Sequence, residues 1–154
     1  NCKRVSLHTL ISDAVRAVSA LASRKRLFIQ LDIPEGMPAV VVDPNLMRRV
    51  FQNLLDNSVR CSVDGGVIRI QAGVDENSRG FTISVVDTGA GVEESIKEKM
   101  FEKFVSGHNR GNSSGLGLAF CRLAVEAHGG RIWVDERHKG GTKISIAIPE
   151  QVEA

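Results

Sequence analysis

The chain has 154 residues, of which 42% are hydrophobic and 25% charged, and its formal net charge is +2. This composition suits one globular domain with a buried core, and it gives no electrostatic reason to expect nucleic acid or an anionic membrane surface as a partner. No apolar run reaches the roughly 20 residues of a membrane-spanning helix. The three cysteines are an odd number without metal-ligand spacing, so we expect a cytoplasmic protein without disulfides.

The first half of the chain predicts two helices and two strands. Apolar residues recur at helical spacing over Leu7–Ala22, which predicts an amphipathic helix. Alternation of apolar and polar residues predicts a strand at Leu27–Ile33, and the apolar Val40–Val42 predicts a short one. A second helix is expected over Pro44–Cys61, because Asp43 is a good capping residue and proline suits the first helical position.

The second half of the chain alternates between strands and helices, with glycine-rich turns between them. The stretch Ser106–Ser114 is rich in glycine, serine and asparagine, which predicts a flexible loop. In chain order the predicted elements are strands Val67–Ala72 and Phe81–Val86, a short helix Glu93–Met100, a helix Leu116–Ala127, and strands Arg131–Asp135 and Lys143–Ile148.

These elements predict an α/β (α+β) two-layer sandwich. Short turns join neighbouring strands, so we expect a mixed, mainly antiparallel sheet covered on one face by about three helices. A doubly wound nucleotide-binding fold does not fit, because no crossover helix separates the last two strands.

A first group of polar residues lies on the second predicted helix. Asn53, Asn57 and Arg60 are spaced by four and then three residues, which places all three on one stripe of the helix. Two amides and a guanidinium on one stripe can hold a hydrated cation and phosphate oxygens. From the helix alone, an ordinary solvated face is the better explanation of the pattern.

A second motif is Asp87-Thr88-Gly89-Ala90-Gly91, directly after an apolar strand. A carboxylate at the end of a buried strand can accept a hydrogen bond from an exocyclic amine such as that of adenine, and glycine lets the backbone approach a flat ring closely. A tight turn capped by Asp87 is the simpler alternative.

A third motif is the glycine-rich segment Ser113–Leu118 before a helix. Backbone N–H groups at a helix N-terminus bind phosphates, although the segment lacks the lysine of a Walker A loop. Considered alone, it is also compatible with an ordinary flexible loop and helix start.

Together, the order of these motifs resembles the nucleotide-binding domain shared by histidine kinases, gyrase-type topoisomerases, Hsp90 chaperones and MutL proteins. More narrowly, the chain resembles a sensor histidine kinase catalytic domain from Val5 to about Pro149. The similar segments are LMRRVFQNLLDNSVRCS, DTGAG, FEKF with Phe101 and Phe104, SSGLGLAFCRLAVEAHGG and the GGT that ends at Thr142.

The resemblance implies a role for each matching residue. Asn57 would be the Mg²⁺ ligand, Asn53 and Arg60 would act in the catalytic phosphate region, and Asp87 would bind the adenine amine. Residues 104–114 would form a mobile ATP lid. The full set of expected ATP-binding residues is Asn53, Asn57, Arg60, Asp87, Gly89, Gly91, Phe104, Arg110, Ser114, Gly115, Leu116, Gly117, Leu118 and Thr142.

Several positions depart from the family pattern. Arg60 and Cys61 stand where the family has a lysine and an aromatic residue, and Ser113 stands where a glycine is common. Arginine keeps the charge with a different donor geometry, whereas the loss of the aromatic ring implies weaker nucleotide binding. The lid lacks the usual arginine soon after Phe104, and Arg110 is the candidate to replace it.

The resemblance implies one domain over residues 1–154, with residues 1–6 as a tail from a preceding dimerisation region. The expected activity is transfer of the γ-phosphate of ATP to a histidine on that dimerisation domain, with a response regulator downstream. None of the chain's four histidines is followed by an acidic residue, as the family's acceptor is, and we expect His128 only to end a helix, where positive charge is favoured. The alternatives are a degenerate nucleotide-sensing or docking domain and a gyrase- or MutL-type ATPase.

Overall fold

The computed structural model describes residues 1–77, 79–89, 101, 117–135 and 140–152. The predicted helix Glu93–Met100 and the loop Ser106–Ser114 lie outside these residues. The elements in chain order are β1 Lys3–Val5, α1 Leu7–Arg24, β2 Phe28–Asp32, β3 Val40–Val42, α2 Pro44–Cys61, β4 Val67–Val74, β5 Phe81–Asp87, α3 Gly117–Ala127, β6 Arg131–Val134 and β7 Thr142–Ile148.

The main sheet has five strands in the order β2-β4-β5-β7-β6. The β2–β4 pair is parallel and the other three pairs are antiparallel, so the predicted mixed, mainly antiparallel sheet is confirmed. In the centre, β5 pairs with β4 and β7 along its whole length, and its last residue, Asp87, lies opposite Ile68 on one side and Thr142 on the other. The register therefore places this carboxylate at the edge of the apolar layer.

The helices cover one face of this sheet, as the two-layer prediction requires. Alternate residues of the strands and the apolar stripes of the three helices form one core. On α2 the predicted apolar stripe is buried, with Met47, Phe51, Leu54 and Leu55 at most 3% exposed. The opposite stripe of α2 is consequently available for the polar residues of the candidate site.

The beginning of α2 agrees with its sequence signals. The side chain of Asp43 accepts hydrogen bonds from the backbone N–H groups of Asn45 and Leu46, at 3.0 and 3.2 Å. The pKa of this carboxyl is lowered, above all by the Leu46 bond, because a hydrogen bond to the charged form favours that form. Pro44 occupies the first turn, where its missing N–H costs nothing.

Near the N-terminus, the structure adds detail at two places. Lys3–Val5 is a strand that pairs antiparallel with Val40–Val42, whereas residues 1–6 were expected to be a tail. A strand of three residues is too short to produce a detectable alternation. Helix α1 also continues beyond Ala22 to Arg24, because no glycine or proline stands there to end it.

None of the helices in the described part of the chain combines the length and the apolar character that crossing a bilayer requires.

Candidate functional site

The predicted site residues that the structure describes lie on the C-terminal half of α2, at the end of β5, at the start of β7 and on α3. Two of the contacts between these elements involve predicted site residues. The Asn53 side-chain amide on α2 donates to the Gly117 carbonyl at the start of α3, at 3.3 Å. A Cβ on Gly89, just after β5, would overlap the carbonyl oxygen of Cys61 at the end of α2. The tertiary structure thus brings Asn53 close to Gly117 and the end of α2 close to Gly89, although these residues are far apart in the sequence.

Asp87 is the buried acidic residue of the site, with 1% of its surface exposed. Its Oδ1 accepts two backbone hydrogen bonds, from Gly89 at 2.9 Å and from Thr142 at 3.2 Å. These bonds come from different segments and fix the orientation of the carboxylate. A carboxylate has about four acceptor positions and no donor when it is ionised, which suits it to accept a hydrogen bond from an amine.

Two glycines near Asp87, Gly89 and Gly141, are required because neighbouring backbone leaves no space for a side chain. Gly89 leaves room for the Cys61 carbonyl of α2. Gly141 has φ +147°, and a Cβ there would overlap the Asp87 carbonyl. Gly89 was expected to shape a pocket for a flat ring, and in the structure the end of α2 lies directly against this residue.

On α2 the three predicted residues have different surroundings. Asn53 and Asn57 are half-buried on the same stripe, and Asn53 is fixed by its bond to Gly117. Arg60 is more exposed, and its Nε donates to Asp56 one turn earlier, at 2.9 Å. Such exposed pairs contribute little to stability, so Arg60 can exchange Asp56 for another anionic partner at small cost.

The side chains of two further predicted residues, Thr142 and Leu118, are buried. Thr142 is 6% exposed, and its N–H orients Asp87. Leu118 is 4% exposed and its side chain belongs to the core, so any ligand contact at this position would come from its main chain. Gly117 is the first described residue of α3, and its carbonyl accepts the Asn53 bond.

The remaining predicted residues lie outside the described part of the chain: Gly91, Phe104, Arg110, Ser113, Ser114, Gly115 and Leu116. Phe101 of the FEKF segment is described and is buried, with 8% of its surface exposed.

Two residues next to the site did not stand out in the sequence. Lys25 reaches from the end of α1 to the end of α2, over a separation of 34 to 37 residues, and no local pattern could indicate such a contact. Cys121 on α3 donates to the Val50 carbonyl at 3.6 Å. Burial raises the pKa of this thiol to about 12, because a thiolate is poorly solvated there. Cys121 is therefore a packing residue of the interface between α2 and α3.

A cavity of about 210 Å³ lies far from these residues. It is lined by residues of β1 and of the β3 region and by the start of β5, including Arg4, Met37 and Phe81. Asp87 lies six residues further along β5, about 20 Å away for an extended strand. Because the cavity contains none of the predicted site residues, it is not the candidate site.

Comparisons with known proteins agree with this geometry. Residues 42–152 match the family described as histidine kinase-, DNA gyrase B- and HSP90-like ATPase. The adaptive-response sensory kinase SasA of Synechocystis is 34% identical over 151 residues, covering 94% of this chain and 38% of SasA. SasA of Synechococcus (strain JA-2-3B'a(2-13)) is 38% identical over 127 residues, covering 81% of this chain and 33% of SasA. This chain therefore spans less than half the length of these relatives.

Solved structures share the fold. The catalytic domain of the histidine kinase ThkA is 26% identical with a TM-score of 0.85, covering 97% of this chain and 96% of that domain. Two other chains with the same fold, each 24% identical, were solved with bound molecules. They are full-length ShkA in complex with AMPPNP, which aligns with a TM-score of 0.85, and ThkA in complex with the response regulator TrrA, with a TM-score of 0.80.

Proposed function

This chain belongs to the histidine kinase-, DNA gyrase B- and HSP90-like ATPase family and is an ATPase domain of the sensor histidine kinase type. We propose that the domain binds Mg-ATP and donates the γ-phosphate to a histidine on a separate dimerisation domain of the same kinase. The observation that carries this proposal is the buried, backbone-oriented Asp87, whose following turn packs against the end of α2.

The adenine base would bond to Asp87. An ionised carboxylate accepts but cannot donate, so it favours a base with an exocyclic amine over one with a carbonyl at that position. The family match and the AMPPNP complex of ShkA support ATP as the nucleotide. Gly89 and, by resemblance, Gly91 would allow the ring to approach the main chain.

The triphosphate and its metal would lie along α2. Amide oxygens suit Mg²⁺, which prefers oxygen ligands and keeps several waters, so the half-buried Asn57 is a chemically suitable ligand. A bound Mg²⁺ would neutralise charge on the phosphate oxygens. Asn53 holds the start of α3 through Gly117, and Arg60 would leave Asp56 to bind a phosphate oxygen with two donors.

Transfer fits these residues better than hydrolysis. An asparagine amide cannot remove a proton from water, and Asn53 occupies the position that carries a glutamate base in the gyrase- and MutL-type relatives that the chain resembles. Phosphoryl transfer to a histidine depends instead on positioning and on charge neutralisation. Residues 104–114 would close over the nucleotide as a lid, with Phe104, Arg110, Ser114, Gly115 and Leu116 near the phosphates.

The expected partners are the dimerisation domain, which supplies the acceptor histidine, and a response regulator. The complex of ThkA with TrrA supports a response regulator as the kind of downstream partner. We place the reaction in the cytoplasm, with no contact of this domain with the membrane or with nucleic acid. The SasA and ThkA similarities favour this proposal over a degenerate docking domain.

The test is to incubate labelled Mg-ATP with this chain alone and together with the dimerisation domain of the same kinase. We expect binding by calorimetry and only trace turnover for the chain alone. Acid-labile phosphate should appear on a histidine of the added domain. Stable label on His8, His108, His128 or His138 of this chain, or rapid hydrolysis by the chain alone, would contradict the proposal.

A further inference from the structure

We propose that Lys25 is a positioning residue for the nucleotide site, because its ammonium group fixes the end of α2 against the turn that follows Asp87. This inference rests on the proposed function. Lys25 does not belong to any of the motifs that predicted the site, and it lies at the end of a different helix.

The Lys25 ammonium makes three hydrogen bonds to the end of α2. Its Nζ donates to the carbonyl oxygens of Val59 at 2.8 Å, Arg60 at 3.1 Å and Ser62 at 2.6 Å. An ammonium group has three N–H donors, so these bonds use its full capacity. We call these three bonds the Lys25 contacts.

These bonds supply what the end of a helix lacks. The last four carbonyls of a helix have no partner within it, and a cation is favoured at its negative end. Ser62 satisfies one of them, because its N–H and its hydroxyl both donate to the Ser58 carbonyl, at 2.9 and 2.7 Å. The Lys25 contacts satisfy the next two, those of Val59 and Arg60.

The main chain around Lys25 is itself held in place. Helix α1 ends in a pair of backbone hydrogen bonds. Leu27 N–H donates to the Ala22 carbonyl and Arg26 N–H donates to the Ser23 carbonyl, both at 3.0 Å. Arg26 adopts φ +53°, as this helix ending requires. The Lys25 carbonyl also accepts from Gly65 N–H at 2.8 Å. Lys25 therefore binds the segment after α2 through its backbone as well as through its side chain.

The end of α2 in turn contacts the expected adenine turn. The Cys61 carbonyl packs against Gly89 so closely that a Cβ there would overlap it, and Gly89 N–H orients Asp87. Arg60 and Asn57 lie in the last two turns of the same helix. The Lys25 contacts thus set the distance between the groups expected to bind adenine and those expected to bind Mg²⁺ and phosphate.

The experiment compares Lys25→Met, which keeps the length of the side chain without donors, with Lys25→Arg, which keeps charge and donors. Mg-ATP and adenosine affinities are measured by calorimetry. Adenosine contacts only the groups expected to bind adenine. Mg-ATP also requires the groups expected to bind Mg²⁺ and phosphate to lie at the correct distance from them. We expect Lys25→Met to weaken Mg-ATP binding about tenfold or more and adenosine binding less than about threefold. Lys25→Arg should restore most of the loss.

Asp43→Ala is the matched control, because it weakens the same helix at its other end, about 20 Å from Asn57, by removing two capping bonds. We expect Asp43→Ala to lower the unfolding temperature. The affinities for Mg-ATP and adenosine should each change less than about twofold, which corresponds to a small change in binding free energy. Hydrogen exchange at the Ser62 amide, which bonds to Ser58, should accelerate in Lys25→Met and not in Asp43→Ala.

Two results would overturn the inference while leaving the proposed function intact. One is equal weakening of Mg-ATP and adenosine in Lys25→Met. The other is a loss of Mg-ATP affinity no larger than that in Asp43→Ala. If Lys25→Met does not fold, Lys25→Gln, which keeps two donors, is judged by the same comparison. If the unmodified chain fails to bind Mg-ATP, the proposed function fails and this inference fails with it.

Discussion

The two ends of α2 are held by different means. At the N-terminal end, Asp43 caps the helix with its own side chain, and the Asp43 N–H donates to Nε2 of the buried His128 at 3.1 Å. At the C-terminal end, the Lys25 ammonium binds the last carbonyls, and the Cys61 carbonyl packs on the turn after Asp87. Only the second end carries the predicted site residues.

The contact at the N-terminal end involves a histidine of another helix. His128 joins the end of α3 to the start of α2, since Nδ1 donates to the Ala124 carbonyl at 2.7 Å while Nε2 accepts from Asp43. His128 directly follows the last residue of α3, Ala127, so it lies at the helix end where the sequence predicted it. A stabilising bridge at one end and a positioning contact at the other should respond differently to substitution.

The largest effect is expected at the N-terminal end. His128→Ala would leave the Asp43 N–H and the Ala124 carbonyl without their partner, and each buried unpaired group costs about 1–3 kcal/mol. We expect the free energy of unfolding to fall by about 3 kcal/mol in urea denaturation. His8→Ala, at an exposed site, should change it by less than about 0.5 kcal/mol. If His128→Ala weakened ATP binding without loss of stability, the contrast between the two ends would not hold.

The next effect is expected at the C-terminal end. Asp87→Asn replaces a charged acceptor with an amide, and a hydrogen bond to a charged group contributes about 1.5–3 kcal/mol. ATP affinity measured by calorimetry should therefore fall about tenfold or more. Asp64→Asn, in the exposed turn after α2, is the control and should bind ATP normally. Unchanged ATP affinity in Asp87→Asn would refute the proposal that Asp87 binds the adenine base.

The smallest effect separates the charge of Asp43 from its capping bonds. The folded pKa of Asp43 lies below its ordinary value of 3.8, chiefly because of the Leu46 N–H bond. A depressed pKa stabilises the fold above the unfolded pKa, and this contribution is lost as the pH falls through the folded value. Asparagine retains an acceptor without charge, so Asp43→Asn should be about 0.5 kcal/mol less stable at pH 6. The difference should shrink towards pH 3 in urea denaturation. A difference that is the same at both pH values would show that charge has no part in the cap.

The sequence predicted the fold well because its signals are local. Asp43 and Pro44 begin α2 where expected, and apolar residues at helical or alternating spacing become the buried faces of helices and strands. The strand ends shifted by one or two residues: β4 extends to Val74 and β5 to Asp87. Pairing with neighbouring strands decides such ends, as in the Val74–Phe81 pair.

For the site, the sequence was sufficient to identify the chemical groups that are present. Asn53, Asn57, Arg60, Asp87 and the glycines carry amide, guanidinium, carboxylate and backbone functions in an order that resembles a known nucleotide-binding family. Helical and strand periodicity also determined which face of each element carries them, because side-chain direction repeats every 3.6 or 2 residues.

The contacts that hold these groups in place became visible in the three-dimensional structure. The Lys25 contacts span 34 to 37 residues, and the His128 bond to Asp43 spans 85. Position 89 requires glycine because the end of α2 packs against it. The residues next to Gly89 in the sequence give no sign of this contact. The physical reason is that periodicity reports which side of an element is buried, whereas a hydrogen bond between distant residues depends on where packing places whole elements relative to each other.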